Sequence, residues 1–302
     1  MKKIAICIPT YKRPVMLRKL VLSIIGCRLN NSLIKDVSII IVDNDIERTA
    51  ELIVGELKEE YGKRYNIQYN NYPVKGLANV RNELIRIALM LNPDYLVFVD
   101  DDEYVSPGWL NEFVNAITQT KADIIMGPVI TENNYKISDE IISWIQRPDH
   151  PDYSSLTFLR TSNLIIDVSS LRKQQIWFDV RFNTTGGEDS FFGLQMLKKG
   201  ATILWAAKAV VYEALTLERA KISWVAKRYY NGANKYAYIL KIEKDYPRIL
   251  KKVLVSLFYI IMGFFALILT FIPFRKRYWG LLKLSEGCGG IMGFLNLRYN
   301  AY

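Results

Sequence analysis

The chain has 302 residues, half of them hydrophobic and 13% aromatic, which excludes a disordered protein and allows one large domain or a domain with an appendage. Its formal charge of +10 is uneven: residues 1–215 carry 25 Lys and Arg against 26 Asp and Glu, whereas residues 216–302 carry 15 against 4. The basic excess lies beside the longest apolar run and no nucleic-acid motif accompanies it, so an anionic membrane surface is expected as a partner and nucleic acid is not.

The first predicted element is a β-strand at Ile4–Ile8, inside the opening stretch MKKIAICIPTYKRP. This stretch is not predicted to be a secretory signal, because its apolar run is too short and Pro9, Lys12 and Arg13 interrupt it. The three cysteines lie far apart without a CxxC pair, so reduced thiols in a cytosolic setting are expected.

Short apolar runs then alternate with amphipathic ones as far as residue 126. The predicted strands are Ile4–Ile8, Val37–Val42, Ile67–Tyr69, Tyr95–Val99 and Asp123–Met126, and the predicted helices are Pro14–Ile25, Thr49–Glu60, Leu77–Leu91 and Trp109–Gln119. This alternation predicts an α/β fold with a doubly wound, mainly parallel sheet. Such sheets bind ligands at the carboxyl ends of their strands, and three strands here end in PTYKRP, DND and DDDE. We therefore expect one site at that edge.

From about residue 130 the alternation loosens, and Thr131–Ser155 is predicted to be a loop or lid. It is followed by strand-like Thr161–Ile166, a GGED turn, a helix at Ser190–Lys199, strand-like Thr202–Trp205 and Val210–Tyr212, and helices from about residue 217.

Val253–Phe274 contains 22 residues without a charge, between Lys252 and Arg275. As a helix it would be about 33 Å long, against a hydrocarbon core of roughly 30 Å. A weaker apolar stretch follows at Tyr278–Leu297. Basic residues flank the first stretch on both sides, so a membrane span, a re-entrant or interfacial hairpin and a buried core helix all stay open.

Four consecutive acids, Asp100, Asp101, Asp102 and Glu103, directly follow a predicted buried strand. Unit charges about 4 Å apart repel by about 4 kcal/mol at an effective dielectric of 20, so something must offset their charge. One interpretation is a helix N-terminus capped by Ser106, where acids favour the helix dipole. The other is a hard-cation site, since Asp100 and Asp102 on an extended segment project to the same side and can share Mg²⁺ or Mn²⁺.

Two further stretches carry charged residues near the expected edge. Asp43 and Asp45 of DND can accept hydrogen bonds from a ribose or base, or can form an Asx turn. Arg81 of GLANVRN lies one turn into a helix that follows Gly76. It can face an anionic ligand, or it can be a surface arginine.

The fourth stretch is TTGGEDSFF, where two glycines allow a tight turn before Glu188 and Asp189. These acids can cap a helix, or one of them can act as a general base toward a hydroxyl group. Glu213, at the end of another apolar strand, is a candidate for an additional metal or acceptor contact.

Some motifs are absent from the sequence. No GxGxxG opens a helix after the first strand, which disfavours a Rossmann oxidoreductase, and no Walker phosphate loop occurs. The only histidine, His150, lies in a polar, proline-rich stretch. A zinc site or a histidine-based nucleophile is therefore not expected.

Seven stretches together carry a family resemblance: IAICIPTYKRP, VSIIIVDND, GLANVRN, YLVFVDDDE, IIMGPV, TSNLII and TTGGEDSFF. They occur in the order seen in inverting family 2 glycosyltransferases of the GT-A fold, and the chain resembles the succinoglycan-type transferases of bacterial exopolysaccharide assembly. The resemblance covers roughly residues 3–235. It implies a catalytic domain at 1–216, with a nucleotide-binding half to about 127 and an acceptor-binding half from about 128, followed by a membrane-associating helical region at 217–302.

The resemblance also implies roles for individual residues. The nucleotide-sugar contacts would be Pro9, Thr10, Tyr11, Arg13, Asp43, Asp45, Arg81, Asp100 and Asp101; the metal ligands would be Asp100 and Asp102; the base would be Asp189, with Glu188 beside it at the acceptor and Glu213 as a late acid. The late histidine of some GT-A enzymes is missing, and so is the QxxRW signature of processive synthases. The second absence favours transfer of one sugar per encounter.

The expected activity is inverting transfer of one sugar from a nucleotide-diphosphate sugar, UDP-linked by family expectation, to a lipid-linked saccharide. A divalent cation, Mn²⁺ or Mg²⁺, is the expected cofactor. The expected location is the cytoplasmic face of the cell membrane, held by Val253–Phe274. The alternatives are a nucleotidyltransferase and a membrane-bound sugar-nucleotide-binding protein without turnover.

Overall fold

The computed structural model describes residues 1–133, 135, 137–268 and 274–297. The chain divides into two compact units. The first unit comprises Met1–Glu132, Arg147–Asn183 and Glu188–Ala214, and the second comprises Asn133–Gln146, Thr184–Gly187 and Leu215–Tyr302. The units interleave along the chain, and the division into domains at residue 216 stays a prediction.

The first unit contains ten strands and six α-helices among its described residues. The strands are β1 (Lys2–Thr10), β2 (Ile34–Asp43), β3 (Asn66–Asn71), β4 (Tyr95–Phe98), β5 (Glu103–Val105), β6 (Ile124–Met126), β7 (Val129–Glu132), β8 (Leu164–Asp167), β9 (Ile203–Trp205) and β10 (Val211–Ala214). Four of the helices are α1 (Pro14–Ile25), α2 (Glu51–Tyr61), α3 (Leu77–Met90) and α4 (Trp109–Thr120). After α5 of the second unit (Asp139–Ile145) come α6 (Val168–Gln174) and α7 (Glu188–Lys198), which makes six helices here.

Seven strands form one sheet in the order β3-β2-β1-β4-β8-β6-β9, and β5, β10 and β7 form a smaller one. In the large sheet every described pairing is parallel except those of β8, which runs antiparallel to β4 and β6. The prediction of a mainly parallel sheet is confirmed. The exception arises because the chain leaves the carboxyl edge after β6 and returns at that same edge to begin β8.

Helices cover both faces of the large sheet. Ile4, Ile6 and Ile8 of β1 pack in one core with side chains of α1, α2 and α4. Ala5 and Cys7 of the same strand pack in a second core with α3, α6 and α7. Successive strand residues point to opposite faces, so an uninterrupted apolar strand such as β1 must be buried on both sides. This confirms the doubly wound arrangement.

Strand register brings the expected residues to one edge. In the parallel pairs, Thr10 lies opposite Asp43 and Cys7 lies opposite Phe98. Pro9 is buried inside β1 opposite Val42. The ends of β1, β2 and β4 therefore meet at the same edge of the sheet.

The second unit is helical. It contains α5, α8 (Ile222–Glu243), α9 (Tyr246–Ile268) and α10 (Phe274–Phe294). A small core joins Ile145, Leu215, Val225 and Leu282. The loop predicted at Thr131–Ser155 is corrected here, because it contains part of β7 and the helix α5, which the side chain of Ser138 caps.

One described helix, α9, is long and apolar enough to cross a membrane by length and composition. It covers Val253–Ile268 of the predicted apolar segment, whereas residues 269–273 lie outside the described part. Only 17% of its apolar window is buried, which disfavours the interpretation as a core helix of a soluble protein. The weaker stretch at Tyr278–Leu297 belongs mostly to α10.

Candidate active site

The loop after β1 is tied to the second of the four acids. The Asp101 carboxylate accepts hydrogen bonds from Thr10 Oγ1 at 2.8 Å, from the Tyr11 backbone N–H at 3.4 Å and from Arg13 Nη1 at 3.0 Å. Asp101 and Thr10 are buried, whereas the Tyr11 ring is exposed. Asp101 therefore shapes the β1–α1 loop, and the exposed ring of Tyr11 is left at its surface.

Asp100 and Asp102 lie in the turn between β4 and β5, and their geometry differs from the extended segment that was predicted. Residues 101 and 102 form a turn, so Asp100 and Asp102 do not lie on an extended segment. Asp100 Oδ1 lies 3.5 Å from Arg81 Nη2, and Asp102 Oδ2 lies 3.1 Å from Arg13 Nη1. The helix-cap interpretation is also wrong, since β5 separates the acids from α4, which begins after Gly108 without a side-chain cap.

The electrostatics of this turn indicate a shortage of positive charge. Burial raises the pKa of Asp100, and the neighbouring Asp102 raises it further. Burial together with the charge of Asp100 raises the pKa of Glu103 well above its usual range. Burial also raises the pKa of Asp101 to about 6, although Arg13 and Thr10 oppose the shift. Each shift means that the charged form is poorly compensated by the protein.

The donor set fits a hard divalent cation. Glu103 Oε2 accepts from the Asp100 backbone N–H at 3.0 Å, and its buried Oε1 has no hydrogen-bond partner within the described residues. About a third of the Asp100 side chain is exposed, so a ligand can reach it. In the described part of the chain no three His, Cys, Asp or Glu residues are grouped to hold a metal. Asp100 and Asp102 are the two carboxylates that would hold Mg²⁺ or Mn²⁺ and leave positions for phosphate oxygens, and a metal site at these residues stays a prediction.

Arg81 joins this turn to α7. Its guanidinium forms a buried ion pair with Glu188 and lies near Asp100, and it is within 5.7 Å of the centre of the Phe178 ring. Both Arg81 and Glu188 are almost completely buried. Neither is a surface residue or a simple cap; together they fix the distance between the acidic turn and the start of α7.

Asp189 differs from its neighbour Glu188 in accessibility. Gly186 and Gly187 have φ values of 68° and 99°, so the predicted glycine turn is confirmed, and a β-carbon would be strained at both positions. The turn leads into α7 with Glu188 buried and Asp189 partly exposed. Asp189 Oδ1 accepts from the Ser190 backbone N–H at 2.6 Å. Its charge raises the pKa of Asp100, which places the two carboxylates in electrostatic reach.

Asp43 and Asp45 are both buried and hold their own loop. Asp43 accepts hydrogen bonds from the backbone of Asp45 at 2.9 Å and of Ala50 at 3.1 Å, and from Tyr69 Oη at 3.1 Å. Asp45 accepts from Thr49 Oγ1 at 2.9 Å. The structure favours the Asx-turn interpretation of DND, and a contact of either acid with a nucleotide stays a prediction.

Sequence reasoning missed Arg147. Its Nη2 lies 3.3 Å from Glu213 Oε2, and its charge opposes the rise in the pKa of Asp100 and of Glu103. Glu213 of β10 lies opposite Glu103 of β5 in the register of the smaller sheet. An arginine in a polar stretch has no pattern that marks it, so only the fold reveals that it belongs with these acids.

Comparisons with known proteins agree with this architecture. The family model for glycosyl transferase family 2 matches residues 5–174, and that for glycosyl transferase family group 2 matches residues 95–286. The succinoglycan biosynthesis protein ExoM of Rhizobium meliloti (strain 1021) is 28% identical over 211 residues, which are 67% of this chain and 64% of that protein. Chondroitin synthase of Escherichia coli is 22% identical over 249 residues, 69% of this chain and 34% of that protein. The chain thus covers under two thirds of either relative.

Solved structures show the same fold. TarS 1-349 of S. aureus in complex with UDP aligns with a TM-score of 0.55 and 15% identity, over 98% of this chain and 92% of that one. GalNAc-T7 with UDP, GalNAc and Mn²⁺ aligns with a TM-score of 0.57 and 14% identity, over 80% and 48% of the two chains. The fold is therefore GT-A-like. Because the first family model spans more than half of the sequence, this chain belongs to glycosyl transferase family 2.

Proposed function

We propose that the protein transfers a single sugar from a UDP-sugar to a hydroxyl group of a lipid-linked saccharide, with inversion and with a divalent cation. The observation that carries the proposal is the convergence of Asp100, Asp102 and the accessible Asp189 at the carboxyl edge of the sheet. The structural neighbours support the donor, since TarS structures contain UDP or UDP-GlcNAc. ExoM supports polysaccharide assembly as the setting.

The cation would be held by Asp100 and Asp102, and the raised pKa of the buried Asp100 carboxyl beside Asp102 supports this assignment. When bound, Mn²⁺ or Mg²⁺ supplies positive charge for the departing nucleoside diphosphate. The chain's own part is to orient these carboxylates. Arg81 positions Asp100, and Arg13 positions Asp102 from the loop that follows β1.

The base would be Asp189. A base must reach the acceptor hydroxyl, and Asp189 is partly exposed, whereas Glu188 is buried and paired with Arg81. In-line attack by the deprotonated hydroxyl on the anomeric carbon breaks the bond to the diphosphate and inverts that centre. Glu188 then has a positioning role, because it holds the start of α7 to α3.

Membrane association would bring the enzyme to a lipid-linked acceptor at the cytoplasmic face. The support is the exposed apolar surface of α9 within a basic C-terminal part. Peripheral attachment of this kind needs apolar area and cationic residues together.

The test of the proposed transfer compares Asp189→Asn with Asp36→Asn. Asp36 is an exposed acid at the amino end of β2, so the control removes the same charge at the opposite edge of the sheet. With UDP-sugars and a membrane lipid extract as acceptor, UDP release by Asp189→Asn should fall about 10²- to 10⁴-fold, while the melting shift with UDP persists. Equal activity of the two variants would contradict the assignment of the base.

A further inference from the structure

The second unit has a cationic groove along α8. It encloses about 660 Å³ and is lined mainly by Lys221, Trp224, Lys227, Arg228, Asn231 and Lys235. Positions 221, 224, 228, 231 and 235 are separated by three or four residues, so they share one face of the helix. We call these six residues the α8 groove.

The charge of the α8 groove is one-sided. Four of its residues are cationic, and Glu218 is the one acid among the described lining residues. Neither Lys221 nor Lys235 forms an ion pair within the described residues. Like charges three or four residues apart on a helix repel each other, so this arrangement favours an anionic ligand.

Two side chains in the α8 groove, Arg228 and Asn231, can donate hydrogen bonds to an anionic ligand. Arg228 donates to the Ile145 carbonyl at 2.9 Å and lies 5.6 Å from the centre of the Trp224 ring, which fixes its guanidinium. Asn231 Oδ1 is buried and has no hydrogen-bond partner among the described residues. The Asn231 side chain also lines the groove, where its amide group can donate a hydrogen bond to an anion.

Helix α9 of the same unit exposes an apolar face, which indicates that the anionic ligand is a lipid. Leu254, Phe258, Ile261 and Phe265 are all more than half exposed and lie on one face. Their contiguous apolar surface is of the kind that binds lipid. Lys252 Nζ of α9 lies 6.0 Å from the centre of the Tyr236 ring, and Tyr236 follows Lys235, so the part of α8 that carries Lys235 lies beside α9.

The packing of α9 indicates how it would meet a bilayer. The ring of Tyr259, near the middle of the helix, has its centre 4.1 Å from Lys283 Nζ, which forms an ion pair with Glu286 of α10 at 2.9 Å. If α9 crossed the membrane, this ion pair would lie near the centre of the hydrocarbon, where charged groups are costly. If α9 lies along the surface, the ion pair and the lysines of α8 stay at the level of the headgroups.

We propose that α9 inserts parallel to the membrane surface and that the α8 groove binds the phosphate group of an anionic lipid. The proposal rests on the membrane association proposed above and adds the site and the class of ligand. It is independent of the chemistry of sugar transfer, which belongs to the first unit.

The test uses the full chain and vesicles of phosphatidylcholine with or without phosphatidylglycerol. The variant is Lys221→Ser/Lys235→Ser, which leaves Arg228 and its contact with Ile145 intact. The control is Lys58→Ser/Lys63→Ser, two exposed lysines in and just after α2 of the first unit. We expect the variant to bind anionic vesicles roughly 10- to 30-fold more weakly, and the control to bind like the wild type.

A competition arm separates a defined phosphate site from diffuse attraction. Inorganic pyrophosphate should displace the wild type from anionic vesicles more effectively than sodium chloride at the same ionic strength, and this advantage should vanish in the variant. Equal effects of the two salts, or equal binding of variant and control, would overturn the proposal. The melting shift with UDP is recorded for each protein. A normal shift together with unchanged vesicle binding would contradict the lipid site alone, whereas loss of the shift would concern the nucleotide site.

Discussion

Arg81 is the residue on which the geometry of the candidate site depends most. It contacts acids from two distant parts of the chain, Asp100 in the turn between β4 and β5 and Glu188 at the start of α7. A buried charge is tolerated only when it is paired, because its desolvation cost is several kcal/mol. The pair therefore fixes two candidate functional segments relative to each other.

Arg81→Met is expected to cost about 3–5 kcal/mol of unfolding free energy, because it leaves Glu188 buried without its charged partner. The measurement is urea unfolding. The control is Arg86→Met on the same helix, where Arg86 pairs with Glu83 at the surface and should contribute under about 1 kcal/mol. Equal losses of unfolding free energy in the two variants would show that the buried Arg81–Glu188 pair contributes no more to stability than a surface pair.

The sequence predicted most of these residues but not their partners. The order of motifs indicated Asp100, Asp102 and Asp189, since acids at strand ends and helix starts form recognisable patterns. It could not indicate that Asp101 would accept from Thr10, or that Arg147 would pair with Glu213. These contacts join positions far apart in the chain, and no local pattern encodes them.

At the scale of elements, the Gly76 turn positions Arg81. Gly76 has a φ of 121° directly before α3, and a β-carbon there would overlap the Asn183 side chain. Asn183 Oδ1 accepts from the backbone N–H of Asn79, in the first turn of α3. The start of the helix that carries Arg81 is therefore set by a close contact which only glycine permits.

Gly76→Ala is expected to destabilise the protein by at least about 2 kcal/mol, from backbone strain and overpacking together. Gly55→Ala, in the interior of α2 with open space around it, is the control. It should stabilise by about 0.5–1 kcal/mol, because alanine favours the helix. Thermal melting of both variants checks the prediction, and a fall in melting temperature with Gly55→Ala alone would contradict it.

Helices and buried strands were predictable because their apolar spacing is local. The bounds of α1 agree residue for residue with the prediction, and α3 differs by one residue. The antiparallel direction of β8 was not predictable, since an apolar strand reads the same in either direction. The helix α5 was missed because its seven residues are too few for a clear period.

At the scale of the whole molecule, two thiols lie inside the sheet and its helices. Cys7 and Cys27 are free and buried, and burial raises the pKa of both, that of Cys27 to about 11. In the unfolded chain a cysteine thiol has a pKa of about 8.5. Above that pH the unfolded state binds fewer protons than the folded state, so the free energy of unfolding falls as pH rises.

For Cys27 the affected range extends from about pH 8.5 to its folded pKa of about 11. Between pH 7 and pH 10 this thiol should cost about 2 kcal/mol of stability. Urea unfolding at both pH values should therefore show a smaller loss for Cys27→Ala than for the wild type. Parallel pH dependence of the two proteins would mean that the thiol ionises equally well in the folded state.

The central claim is that Asp100 and Asp102 form a site for a divalent cation and a nucleotide, and its most direct test is a melting curve with excess UDP, with and without Mn²⁺. Ligand at about 100 times its dissociation constant should add roughly 2.7 kcal/mol, which is several degrees for a protein of this size. We predict a rise that requires Mn²⁺, persists in Asp36→Asn and is lost in Asp102→Asn. A rise that is independent of Mn²⁺, or that Asp102→Asn retains, would contradict the account.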